Sequence, residues 1–170
     1  SEETRPLLVV GSAPYSQWYI ARVREVSNES PSVRLLGAIY DRELLDQLYA
    51  NARTYIHGHS VGGTNPSLLR AMGAGAPVLA FDCEFNREVT AQRALFWHDA
   101  DSLAAILDEV AEGEIDAELT QLSEAGRERI AEHYQWDAVT DAYEAMLLRL
   151  NAGRRRTARR SEPATTESLA

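Results

Sequence analysis

The sequence predicts an α/β fold in which a doubly wound parallel sheet is followed by carboxyl-terminal helices. Short apolar or β-branched runs alternate with longer amphipathic stretches from residue 6 to about residue 112, as in strands joined by crossover helices. Most of these runs lack the polar alternation of a half-exposed strand, which indicates strands covered on both faces. With 170 residues, 45% of them hydrophobic, the chain is long enough for one domain with a core.

The apolar runs and the helical spacing place the elements in order. Strands are predicted at residues 7–10, 33–36, 54–57, 77–81 and 95–97. Crossover helices are predicted at residues 15–26 and 41–52, and we expect their aromatic side chains to pack in the core. Further helices are predicted at residues 101–111, 115–133 and 137–150. The predicted domain therefore covers residues 1–150, and the Arg-rich tail, residues 151–170, is predicted to be disordered.

Charge and cysteine content exclude several classes of protein. Residues 1–153 carry 12 Arg and no Lys against 24 acidic residues, a balance that repels nucleic acid. Only the Arg-rich tail suits contact with an anionic membrane. We find no apolar run long enough to span a bilayer and no secretion signal, so we expect a cytoplasmic protein. The single Cys83 excludes an internal disulfide and has no cysteine partner for a structural zinc site, and no bound metal or cofactor is predicted.

The most informative segment is residues 55–82, YIHGHSVGGTNPSLLRAMGAGAPVLAFD. A strand is predicted to end near His57, a loop carries Gly62, Gly63, Thr64 and Asn65, and a helix opens with proline. Glycines allow close backbone approach to a ligand, and a helix amino terminus favours anions, so the loop suits a diphosphate. The same residues also make a well-formed turn that needs no ligand, capped by Asn65 or Thr64.

The run from residue 57 to residue 89 closely resembles the donor-binding region of glycosyltransferase family 4, the retaining enzymes of the GT-B fold. The resemblance extends through VVGSAPYSQWYIARV, VRLLGAIYDRELLDQLYANA and EHYQWDAVTDAYEAMLLRL, and so covers nearly all of residues 6–150. The sequence is especially similar to a bacterial subgroup linked to rhamnosyl transfer in cell-surface polysaccharides. The fold that the resemblance implies is the Rossmann-like donor half of a GT-B enzyme.

The resemblance also implies where a nucleotide-sugar donor would bind. The base would lie near the loop after the second strand, at Gly37 to Tyr40, and the diphosphate against Gly62 to Asn65. Such enzymes commonly need no metal, and their acceptor-binding domain would lie elsewhere. The implied reaction is transfer of a hexosyl group to a saccharide acceptor with retention at the anomeric carbon, a reaction for which this chain alone is expected to be incomplete.

Two positions depart from the family pattern. Two Glu separated by seven residues frame this loop in the family, whereas His59 and Arg70 stand at those places here, with ten residues between them. His59 can still hydrogen-bond sugar hydroxyls. Arg70 cannot accept a hydrogen bond from ribose, although it can contact phosphate or simply lie on the helix surface. Glu88 is the best candidate to bind sugar or ribose hydroxyls in its place.

The largest departure is at the start of the domain. The family has a strand and helix before residue 6 that this sequence lacks. In the strand order 3-2-1-4-5-6 the missing strand is central, so the strands at residues 7–10 and 54–57 would each lose a neighbour. We therefore expect either direct pairing of those two strands or a domain of marginal stability.

The sequence leaves two alternatives to a donor-binding domain. A noncatalytic remnant or nucleotide-sugar binding module is favoured by the missing strand and by Arg70. A nicotinamide-binding protein is disfavoured, because GSAP after the first strand is not G-x-G-x-x-G and no acidic residue ends the second strand.

Overall fold

The computed structural model describes residues 6–160, with side chains described as far as residue 152. Each of the five short strands is followed by a helix, and two further helices come at the end of the described residues. The strands are β1 (Leu7–Val10), β2 (Val33–Gly37), β3 (Tyr55–His57), β4 (Val78–Phe81) and β5 (Leu95–Trp97). The helices are α1 (Gln17–Asn28), α2 (Arg42–Ala50), α3 (Pro66–Ala74), α4 (Glu84–Thr90), α5 (Ala100–Glu112), α6 (Asp116–His133) and α7 (Trp136–Arg160). The predicted α/β alternation is confirmed, with strand bounds displaced by one residue at most.

All the strand pairs are parallel, but the strands form two sheets instead of one. The first sheet pairs β1 with β2, so that Leu7 lies opposite Val33. The second has the order β3-β4-β5, with Ile56 opposite Leu79 and Leu79 opposite Leu95. In the described residues β1 and β3 do not pair. Of the two outcomes expected from the sequence, direct closure is therefore wrong, because each of these strands keeps a free edge.

The core lies around the second sheet. Strand β4 is buried, as expected for the central strand of three. Helix α3 packs on this sheet through Leu68 and Met72, and α6 packs against α3, with Gly126 next to Met72. The buried apolar cluster is Leu68, Met72, Val78, Ala80, Val89 and Ala94. The helix that leads away from the glycine-rich loop is thus anchored in the best-packed part of the molecule.

The first sheet is much less covered than the second. The four residues of β1 are 37–46% exposed, although all four are apolar. The expectation that the aromatic residues of α1 lie in the core is wrong, because Trp18 is 75% exposed and Tyr19 is 52% exposed. A two-stranded sheet with a free edge offers too little surface to bury them.

Two helix boundaries correct the sequence prediction. Helix α7 continues to Arg160, ten residues beyond its predicted end, so residues 151–160 are helical and only residues 161–170 of the tail lie outside the described part. Arg and Ala are good helix formers, and the first proline after α7 begins is Pro163. Helix α4 begins at Glu84 and not near Arg87. Of the helices described, none is long and apolar enough to cross a membrane.

Candidate functional site

The glycine-rich loop connects the end of β3 to the start of α3, at the carboxyl edge of the second sheet. Gly62 has a φ of +112°, a conformation that L side chains rarely adopt, so glycine is required there by the backbone. Gly62, Gly63 and Thr64 are all exposed. A Cβ added to either glycine would meet no atom within 4 Å, so the space above this stretch of backbone is open to a ligand.

Asn65 is the N-cap of α3. Its side-chain oxygen accepts a hydrogen bond from the backbone N–H of Ser67 at 2.9 Å and one from the Ser67 hydroxyl at 2.7 Å. Pro66, the first helical residue, has no N–H. The cap predicted from the sequence is therefore present in Asn65, and the first turn of the helix keeps few donors for an external anion.

Backbone N–H groups without a hydrogen-bond acceptor among the described residues lie just before the helix, in the loop itself. The backbone hydrogen bonds found in residues 6–160 do not use the N–H groups of Gly62, Gly63 or Thr64. Three consecutive exposed amides beside the positive end of a helix dipole form a favourable environment for a negatively charged group. The candidate anion-binding element therefore consists of the loop amides beside the amino terminus of α3.

A buried polar chain supports the loop from below. The hydroxyl of Tyr55 lies 3.3 Å from Nδ1 of His57 and 3.1 Å from the Ser67 hydroxyl, which is bonded to the cap side chain. His57 is 1% exposed, and its Nε2 has no hydrogen-bond partner among the described residues. Burial, with repulsion from His59 as a smaller cause, lowers the pKa of His57 to about 4. Burial also raises the pKa of Tyr55. His57 is thus neutral at pH 7.

His59 connects the loop to α4. Its ring stacks on that of His57, with centroids 4.8 Å apart. Its carbonyl accepts a hydrogen bond of 2.9 Å from Nδ2 of Asn86, which also donates to the Phe81 carbonyl at 2.8 Å. The structure therefore brings the predicted residue His59 next to the helix that carries Glu88. Glu88 is exposed on α4, and its side chain makes no hydrogen bond in the described part.

Arg70 points away from the loop. Its Nε donates to Oδ1 of Asp46 at 2.5 Å, and its Nη2 donates to the Arg42 carbonyl at 2.8 Å. This hydrogen bond with Arg70 lowers the pKa of the Asp46 carboxyl. Of the alternatives that the sequence left open, the structure therefore places Arg70 on the surface between α2 and α3, in an ion pair.

The predicted base-binding loop is part of the other sheet. Gly37 ends β2 with a φ of +70°, which again requires glycine, and Tyr40 is 90% exposed. No hydrogen bond between described residues joins Gly37 or Tyr40 to the glycine-rich loop. The two parts of the predicted donor site thus lie on separate sheets.

The supporting roles of four residues near the site were not predicted from the sequence. Tyr55 and His57 are two residues apart on a strand, so they share a face, and this spacing was a usable signal. The position of Ser67, second in a helix with a predicted cap, was a weaker signal for a supporting role. The position of Asn86 after the fourth strand suggested a residue of the donor cleft, but its role in holding the carbonyls of His59 and Phe81, one of them 27 residues away, was not predictable.

A surface cleft lies elsewhere, between α2, α3 and α6. It has a volume of about 460 Å³ and includes Leu69, Arg70, Gly73 and Ile130 in its lining. None of the residues Gly62 to Asn65 lines it. We place the candidate site at the loop because free amides and a required glycine conformation occur there. Among residues 6–160, no group of three or more His, Cys, Asp or Glu is arranged to hold a metal ion.

Asn65→Ala is expected to lower the free energy of unfolding by about 0.5–2 kcal/mol, because the Ser67 amide loses its cap. Urea unfolding followed by circular dichroism measures this. Thr64→Ala is the matched control, since the neighbouring Thr64 side chain is exposed and makes no hydrogen bond in the described structure. Equal stability of Asn65→Ala and Thr64→Ala would show that the cap contributes nothing.

The comparison with protein families gives one match. Residues 2–112 match the family model described as "Glycosyl transferases group 1". This range contains all five strands and the complete loop. The search of curated proteins gave no match.

Several solved structures are similar to this chain. Anabaena Alr3699/HepE in complex with UDP superposes with a TM-score of 0.71 at 16% identity, over 84% of this chain and 40% of that one. Sucrose-phosphate synthase from Thermosynechococcus elongatus gives 0.69 at 25% identity, over 86% and 39%. The pneumococcal O-GlcNAc transferase GtfA, in complex with UDP and GlcNAc, gives 0.64 at 15% identity, over 85% and 29%. This chain thus spans at most about 40% of these structures and has the Rossmann-like fold of one half of a GT-B enzyme.

Proposed function

Because the chain belongs to the group 1 glycosyl transferase family, we propose that it binds the diphosphate of a nucleotide-sugar donor at the amides of Gly62, Gly63 and Thr64. The observation that carries this proposal is the row of three exposed amides without partners, at the carboxyl edge of the second sheet and next to the start of α3. Ligands of open α/β sheets bind at this edge. The similar structures of HepE and GtfA, which are complexes with UDP, support the choice of ligand.

In this proposal the loop stabilises the charge that develops on the leaving diphosphate. Backbone amides that are already oriented cost no reorganisation when the glycosidic bond breaks. His59 and Glu88 would hydrogen-bond the sugar or ribose hydroxyls, and Gly37 to Tyr40 would receive the base. Since Arg70 is engaged by Asp46, we assign it no contact with the donor.

The complete reaction requires an acceptor-binding domain that residues 6–160 do not contain. We propose that the family member of which this chain forms the donor half belongs to family 4 and its rhamnosyltransferase-like subgroup. It would transfer a hexosyl group, with retention at the anomeric carbon, to a saccharide acceptor during synthesis of cell-surface polysaccharide. The quoted sequence resemblance supports these finer assignments.

A second candidate is a nucleotide-sugar binding module without catalytic activity. The observation that favours it is Arg70, which stands where the resemblance implies an acidic residue for ribose and which is held on the surface by an ion pair with Asp46. The two candidates share the donor site and differ in whether a sugar is transferred once an acceptor domain is supplied.

Titration calorimetry with UDP-, GDP- and dTDP-sugars tests the donor site. We expect binding by at least one donor, and about tenfold weaker binding by Thr64→Glu, because the new carboxylate lies beside the bound diphosphate. The same carboxylate near the amino terminus of α3 does not destabilise the helix, so folding should be retained. Gln121→Glu, an exposed residue of α6, adds the same charge elsewhere and is the control. Absence of binding by all three donors, or equal weakening by both variants, would refute the proposal.

A further inference from the structure

The polar chain beneath the glycine-rich loop has a fixed order of hydrogen atoms. Its outer end is the side-chain oxygen of Asn65, which accepts a hydrogen bond from the backbone N–H of Ser67 at 2.9 Å. An amide oxygen can only accept, so its contact of 2.7 Å with the Ser67 hydroxyl requires the hydroxyl hydrogen to point at Asn65. The directions of the other two bonds in the chain follow from this end.

Each hydroxyl in the chain has one hydrogen to donate. Since the hydrogen of Ser67 is used on Asn65, the Ser67 oxygen must accept from the Tyr55 hydroxyl, 3.1 Å away. The hydrogen of Tyr55 is then committed to Ser67, so the Tyr55 oxygen accepts from Nδ1 of His57, at 3.3 Å. Burial lowers the pKa of His57 to about 4, and at pH 7 the neutral ring carries a single hydrogen. That hydrogen is on Nδ1.

The other ring nitrogen of His57 agrees with this tautomer. His57 is 1% exposed, and its Nε2 has no hydrogen-bond partner among the described residues. In protein interiors, N–H groups of the backbone are left unpaired less often than carbonyl oxygens, so an unpaired buried atom is more easily tolerated as an acceptor. A hydrogen on Nε2 would be an unpaired buried donor. The lone pair that the chain assigns to Nε2 avoids this.

The chain determines which end of the Asn65 amide remains free. The oxygen is held by two donors of Ser67, so turning the amide over would place its NH2 group against a backbone N–H. The NH2 group makes no hydrogen bond with any residue that the structure describes, and Asn65 is only half-buried. Asn65 directly follows Thr64, the last of the three loop residues whose backbone N–H groups are free. The loop thus offers a side-chain donor next to its backbone donors.

We propose that the side-chain NH2 group of Asn65 is a further hydrogen-bond donor to the diphosphate, and that Tyr55, His57 and Ser67 are positioning residues that keep this group available. Phosphate oxygens accept hydrogen bonds and have none to donate, so a loop that presents only N–H groups favours a diphosphate over hydroxyl-rich ligands. This inference rests on the proposed donor site. It adds to that site a buried chain that connects the loop to β3.

The order of hydrogens is tested by ¹⁵N NMR of the histidine rings in the full chain near pH 7, without donor. Nδ1 of His57 should have the chemical shift of a protonated nitrogen and Nε2 that of an unprotonated one, and the His57→Phe spectrum assigns the signals. Ser67→Ala should move the hydrogen to Nε2, because the Tyr55 hydroxyl loses its acceptor on α3 and donates to Nδ1 instead. Ser67→Thr keeps a hydroxyl and should keep the original tautomer.

Titration with UDP-, GDP- and dTDP-sugars then tests the positioning role. Asn65→Ser keeps a capping oxygen but removes the NH2 group, so stability should change little while Kd rises about threefold to tenfold, as for one lost hydrogen bond. Tyr55→Phe should raise Kd by a similar factor, because it interrupts the chain. Tyr134→Phe is the matched control, since it removes the hydroxyl of another half-buried tyrosine on the same core and should leave Kd unchanged.

The two measurements separate this proposal from the donor site itself. A hydrogen on Nε2 of His57 in the unsubstituted protein, or an unchanged tautomer in Ser67→Ala, overturns the proposal whatever the donor does. Kd values of Asn65→Ser and Tyr55→Phe equal to that of Tyr134→Phe also overturn it. Absence of binding by the unsubstituted protein refutes the donor site and, with it, the role of Asn65, and this is seen before any variant is compared.

Discussion

Leu68→Ala is expected to lower the free energy of unfolding by about 2–5 kcal/mol, a large part of the total stability of a domain of this size. Leu68 is 0% exposed and lies on α3, where it joins the helix to Val78 and Ala80 of β4. Removing three heavy side-chain atoms there leaves a cavity in the best-packed part of the protein. Urea unfolding followed by circular dichroism measures the loss.

Leu44→Ala is the matched control, because it deletes the same atoms from α2 at a position that is 49% exposed. We expect its loss to stay below about 1 kcal/mol, since much of that side chain remains in water in the folded state. Equal losses for the two variants would mean that α3 is not anchored in a close-packed core. Since Leu68 lies in the capped first turn of α3, the same variant should also weaken donor binding if the loop amides form the site.

Local signals in the sequence were enough to predict most element boundaries. The helix predicted at residues 41–52 is α2, and Asp41 is its N-cap, because its side chain accepts hydrogen bonds from the N–H groups of Glu43 and Leu44 at 3.0 and 3.1 Å. The apolar runs predicted the bounds of β1 and β5 that the structure shows. Capping and strand burial depend on residues that are adjacent along the chain, so they are visible in one sequence. The end of α7 was misplaced because the basic residues after Leu150 suggested disorder although they favour helix.

Features that depend on distant partners were not predictable in the same way. The sequence showed that Arg70 departs from the family pattern, but its ion pair with Asp46 depends on how α2 packs against α3. The separation into two sheets depends on which strands pair over long distances in the sequence, and β1 pairs with β2 whereas β3 pairs with β4. The exposed Trp18 follows from that separation, since an aromatic residue on an amphipathic helix is buried only where the sheet beneath it is complete.

His57 is expected to make stability fall as the pH is lowered. In the folded state its pKa is lowered to about 4 by burial, with a smaller contribution from repulsion by His59, whereas an unfolded chain has an ordinary value of 6.5. Between these two values the unfolded state binds a proton that the folded state does not. Stability is therefore unaffected above about pH 7 and falls as the pH decreases to 4. The expected loss is roughly 3 kcal/mol, because a tenfold change in proton affinity corresponds to about 1.4 kcal/mol.

His57→Phe isolates this effect, because it keeps an aromatic ring in the buried position and removes the titrating group. Urea unfolding of both proteins at pH 7, 6, 5 and 4 should give curves that converge as the pH falls, since the other three His and the carboxylates titrate in both. At pH 7 the variant should be less stable, because it loses the contact between Tyr55 and Nδ1 of His57. Parallel curves from pH 7 to pH 4 would mean that the folded protein accepts a proton on His57 as readily as the unfolded chain. The polar chain beneath the loop would then be open to water, and the rigid support that we infer for the amides of Gly62 to Thr64 would be lost.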